Sequence, residues 1–107
     1  MILNMADSRG FKDYKFPEQE GCFVAVYKGS FWTTGRIINT CWQLADGTLI
    51  RCSLFPGKHS LYLGKTSNAI GEWKEGCAAE LTLNRATSSG KVYLREIKFL
   101  MLCSIKR

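Results

Sequence analysis

Two alternating runs meet at Asn84-Arg85-Ala86-Thr87-Ser88-Ser89-Gly90-Lys91, and this meeting constrains the fold most. Before it, Cys77, Ala79, Leu81 and Leu83 share one phase of a period-two pattern, and Ala78, Glu80, Thr82 and Asn84 share the other. Successive side chains of a strand point to opposite faces, so this run is a strand with one face made for a core. From Lys91 onward, β-branched and aromatic residues alternate with charge, the pattern of a second half-buried strand. Ser-Ser-Gly between them is a turn whose glycine tolerates positive φ. The second strand changes phase along its length. Val92 and Leu94 lie in one register, Ile97, Phe99 and Met101 in the other, and a β-bulge near Glu96 reconciles them.

Upstream, Cys22-Phe23-Val24-Ala25-Val26-Tyr27 is a short apolar run and reads as a first strand. Residues 28–35, bounded by glycines, read as a connecting loop that carries Phe31 and Trp32. Strands follow over 36–44 and 48–55, joined by Ala45-Asp46-Gly47. Asp-Gly between two β-rich runs is the strongest short hairpin signal. Pro56-Gly57 stops the third strand. Residues 58–75 contain Gly64 and Gly71 and few strong helix formers, so a loop with one or two helical turns is expected there, with Leu61, Ile70 and Trp73 contributing to a core. Residues 1–20 form an N-terminal arm of mixed charge, with Phe11, Tyr14 and Phe16 available to pin it. The domain proper spans 21–107.

A chain of 107 residues is one domain and buries a core without staples. Its 46% apolar and 22% charged residues are those of an ordinary globular protein. Cys22, Cys41, Cys52, Cys77 and Cys103 form no C-x-x-C pair and His59 is the only histidine, so neither a metal nor another cofactor is expected. An odd number of cysteines with apolar neighbours suits reduced, buried thiols in a cytoplasmic protein. No run approaches 18 consecutive apolar residues, and the N-terminus lacks the basic flank of a signal peptide, so no membrane partner is expected.

The order is thus three strands in a meander, a connector with at most a short helix, and a two-strand hairpin. This is an all-β architecture that resembles the OB-fold, a small five-stranded barrel, in element order and feature placement over 21–103. The resemblance implies binding of oligonucleotides or oligosaccharides through the face of the second and third strands and the first and last loops. Single-stranded-DNA-binding proteins of this fold are the nearest likeness. An SH3-like barrel or half of a β-sandwich fits the same order.

Charge points to the same class of partner. Fifteen Lys and Arg against nine Asp and Glu give +6, which favours an acidic partner, most simply nucleic acid. Four cations (28, 36, 51, 58) accompany one acid, Asp46, between Lys28 and Lys58, and six (85, 91, 95, 98, 106, 107) accompany Glu96 from Arg85 to the end. A single strand is held by a cationic groove with aromatic platforms. The candidates are Lys28, Phe31, Trp32 and Arg36 around the first loop, Trp42 and Arg51 on the middle strands, and Arg85, Lys91, Tyr93, Arg95 and Lys98 on the last hairpin. The expected geometry is one cleft flanked by the two loops, with Tyr93, Arg95 and Arg51 on its floor. Trp42 is also a candidate for the core, where large aromatics are more often found than on a platform.

The expected activity is non-enzymatic binding of single-stranded nucleic acid, DNA slightly favoured over RNA, as an accessory replication or recombination protein that contacts a larger replication partner. The alternative is a protein-interaction module or inhibitor that docks through the same loops, since Trp, Tyr and Arg also make interface hot spots. Catalysis has little to build on: one histidine, no P-loop, no G-x-S-x-G and no metal-ligand spacing.

Overall fold

A computed structural model describes residues 7–33, 37–54 and 75–100. It is mostly β: a 3-10 turn at Ser8–Phe11, then β1 (Gly21–Thr33), β2 (Ile37–Leu44), β3 (Leu49–Leu54), β4 (Ala78–Arg85) and β5 (Val92–Phe99). All ladders are antiparallel, in the order β3-β2-β1-β4-β5. The sheet curls until Cα atoms of β3 and β5 come within 8 Å of each other, yet no ladder joins them. An open curled sheet of this order is compatible with the OB-like barrel expected. The helical turns expected over 58–74 lie outside the described residues.

Curling depends on β1, which serves two partners. Gly21 to Val26 pair with β4, and Ala25 to Thr33 pair with β2. Between Tyr27↔Trp42 and Gly29↔Cys41 the register slips, leaving Lys28 as a bulge residue. Gly29 takes φ 135° there, a conformation that side chains disfavour. The expectation of a loop over 28–35 is therefore corrected for residues 28–33, which are strand, while 34 and 35 lie outside the described residues. The glycine that reads as a loop boundary is a bend inside a 13-residue strand, and Phe31 pairs with Asn39 within the ladder.

The other local expectations follow the residues closely. The Asp46 carboxylate accepts the Thr48 amide at 2.9 Å, and Gly47 takes φ 93°, so Asp-Gly closes the β2–β3 hairpin. That amide and side-chain bonding to Thr48 holds the Asp46 carboxyl below its ordinary value. In the β4–β5 turn, Gly90 takes φ 73° and its N–H donates to Ala86 O at 2.8 Å. On β5 the ladder passes from Thr82↔Glu96 to Leu83↔Leu94, so the bulge residue is Arg95. The bulge is what lets both Leu94 and Ile97 reach the interior.

Inside the curl, Tyr27, Trp42, Ile50, Cys52, Leu81, Leu83, Leu94 and Ile97 form the main core, all nearly solvent-free. Trp42 packs edge-on against Tyr27 at 5.3 Å, and its Nε1–H donates to Thr40 Oγ1 at 2.8 Å. β4 alternates as expected, with Ala79, Leu81 and Leu83 buried. β2 does not alternate. Its residues 38–42 are buried on both faces, and the reason is the arm. Phe11 stacks on Phe31 at 5.6 Å, and Tyr14 packs edge-on against Phe11 at 5.3 Å. Lys15 then pairs in parallel with the outer edge of β3: its N–H donates to Leu49 O at 3.3 Å and its C=O accepts from Arg51 N at 2.8 Å.

Cys22, Cys41 and Cys52 are free thiols. Cys77 is disulfide-bonded, which corrects the expectation of five reduced thiols. No helix among the described residues is long and apolar enough to cross a membrane.

Candidate functional site

The unjoined seam between β3 and β5 opens into a groove of about 720 Å³. β3 contributes Arg51 and Ser53, the last hairpin contributes Arg85, Lys91 and Tyr93, and the arm contributes Phe16, Pro17 and Glu18. Cys52 and Leu94, both core residues, reach its floor. The groove exists because a five-stranded sheet has two end strands, and here those ends face each other without bonding.

Arg51 has the most unusual setting. Its guanidinium lies 4.2 Å over the Phe16 ring and 5.9 Å from the Phe31 ring. Neither ion pair found among the described residues involves it. Its Nε is the one buried side-chain nitrogen or oxygen among the described residues with no hydrogen-bond partner. An orphaned buried donor costs about 1–3 kcal/mol. Aromatic faces stabilise a cation but accept no conventional hydrogen bond, so the donors of Arg51 remain available to an anion. The neighbouring Cys41 thiol is pushed up to about 12 by burial, with the Arg51 charge opposing the shift, so it stays neutral near pH 7.

Arg85 plays a different part. One Nη donates to Gly90 O at 2.7 Å and the other to Glu18 O at 2.9 Å. It ties the turn to the arm and brings a positive charge whose hydrogen-bond partners among the described residues are neutral carbonyls. Lys91 and Tyr93 are exposed beside it.

The structure divides the sequence-derived candidates. Arg51, Arg85, Lys91 and Tyr93 line one groove. Phe31, 3% exposed, lies under Phe11, and Trp42, 0% exposed, lies in the core, so neither offers a face to a base. Both platforms are corrected. Phe31 is covered by an arm that the sequence does not tie to it, and Trp42 occupies the inward phase of β2. Lys28 is directed to Glu75, 3.7 Å away, and does not line the groove. Arg95 and Lys98 are exposed but also lie off the groove, with Lys98 opposite Glu80 on β4. Trp32 sits at a described strand position opposite Ile38, but its side chain lies outside the described set, as does all of Arg36. The cleft is therefore flanked by the last hairpin and the arm rather than by the two loops. Phe16, read from sequence only as a pin for the arm, is the groove residue not anticipated. Its one sequence signal is an aromatic followed by proline in a charged arm.

No protein family, curated protein or solved structure matches this chain.

The groove residues bring three cations, Arg51, Arg85 and Lys91, and one carboxylate, Glu18. No group of three or more His, Cys, Asp or Glu that could hold a metal occurs among the described residues.

Proposed function

We propose that the protein binds single-stranded nucleic acid in the β3–β5 groove, without catalysis, as an accessory factor in replication or recombination. The observation that carries this reading is Arg51: a guanidinium with no carboxylate partner among the described residues and an orphaned Nε, on the wall of a groove that also holds Arg85 and Lys91. Three cations against the single carboxylate of Glu18 favour a run of phosphates. The exposed rings of Phe16 and Tyr93 supply the apolar half of a single-strand site.

The test is fluorescence anisotropy with labelled single strands and duplexes of equal length, titrated across salt. The reading expects micromolar or tighter single-strand binding that weakens steeply with salt, and at least tenfold weaker binding of the duplex. Absence of single-strand binding at about 50 mM salt would refute it.

A second reading rests on the edges themselves. β3 and β5 end the sheet, and beyond Lys15 their outer backbone has no strand partner among the described residues. Such edges accept an extended segment from a protein partner by strand addition. Binding that persists at high salt and is selective for peptide over oligonucleotide would favour it.

A further inference from the structure

We infer that the N-terminal arm supplies the base-stacking ring of this groove, and that this ring is Phe16. The inference rests on the nucleic-acid reading above and names the residue that reads the base.

Four large apolar side chains are exposed among the described residues: Phe16, Val24, Tyr93 and Leu100. The two aromatic ones both line the groove. Leaving a phenylalanine 53% exposed forgoes hydrophobic stabilisation, so the position of Phe16 calls for a partner. One of its faces is occupied by the Arg51 guanidinium at 4.2 Å. The ring is still 53% exposed, so ring surface remains for a ligand beside the guanidinium. A base laid there completes a stack of base, ring and cation, in which the cation polarises the ring between them.

The ring is also held in place, which loose arms do not achieve. On its N-terminal side, Lys15 bonds to β3 through both its N–H and its C=O. On its C-terminal side, Pro17 restricts the backbone and the Glu18 carbonyl is gripped by Arg85. Phe16 thus sits between two anchors two to three residues apart, and little conformational entropy remains to be lost on stacking. The same two arginines that hold Phe16 line the groove, so phosphate and base contacts share one frame.

The experiment compares the full chain with Phe16→Ala and Phe16→Trp on two probes: an ordinary oligothymidylate strand and an abasic deoxyribose-phosphate strand of the same length. Phe16→Ala is expected to weaken binding of the ordinary strand about tenfold, Phe16→Trp to retain it, and both to match the unaltered chain on the abasic strand. Equal loss on both probes assigns Phe16 to arm packing and overturns the inference. Unchanged binding of the ordinary strand by Phe16→Ala overturns it too, while leaving the groove reading intact. If the unaltered chain binds neither probe, the groove reading falls first and this inference with it.

Discussion

Arg51 is where physical cost and proposed use coincide. It alternates with buried Ile50 and Cys52 on β3 and so faces the outer side of the sheet, where aromatics rather than acids meet it. Arg51→Met keeps an apolar stem over Phe16 and removes the orphaned Nε, so stability is expected to change by less than about 1 kcal/mol. Oligonucleotide affinity should fall several-fold, and the slope of log Kd against log salt should drop by about one. A urea melt beside the salt titration checks both. The thiols offer a second test at this scale. Burial raises Cys41 to about 12 and Cys52 further, so the folded state binds more protons than the unfolded chain once free thiols begin to ionise near pH 9. Stability is complete below that pH and declines as pH rises from there towards 12. At pH 8 a thiol reagent should modify exposed Cys22 quickly, and Cys41 and Cys52 only as fast as the protein opens. Equally fast modification of Cys41 and Cys52 would contradict their burial.

Among the elements, β1 sets the shape. A flat 13-residue strand would present a single register to each neighbour, whereas the bulge at Lys28 turns β1 from β4 to β2. Gly29→Val places a β-branched side chain at φ 135°, where the strain costs about 1–3 kcal/mol. A fall of this size in the unfolding free energy is the expected result. An unchanged melt would mean that the bend does not depend on glycine. The arm is the second decisive element. It converts the outer face of β2 from a solvated surface into a second small core of Phe11, Tyr14, Phe31 and Cys41. Phe11→Ala should cost about 2–4 kcal/mol through loss of the Phe31 stack and should speed thiol modification of Cys41. Faster labelling of Cys41 without faster labelling of Cys52 would show that the arm lifts while the interior of the curled sheet stays closed.

At the scale of the whole molecule, the seam is the consequence of five strands curling without closing. Most of the expected architecture was legible beforehand, because the period-two pattern of Cys77 to Leu83, the Asp-Gly turn and the phase change around Glu96 are all local signals. The groove was only half legible. Arg51, Arg85, Lys91 and Tyr93 were recognisable as cations and an aromatic on neighbouring strands, since charge and strand phase are written along the chain. That they face Phe16 rather than Lys28 depends on where β3 and β5 end in space. No local pattern encodes that arrangement.

The sequence alone settled the strand count, the turns, the basic balance and the inward faces of β4 and β5, because each follows from spacing over a few residues. Tertiary structure decided three other things: that Gly29 bends rather than breaks β1, that Phe31 and Trp42 are buried, and that the arm joins the seam. The physical reason is common to all three. Each depends on contacts between residues far apart in the chain, and the free energy of burying Phe31 under Phe11, or of bonding Lys15 to the edge of β3, exists only once the curled sheet brings them together.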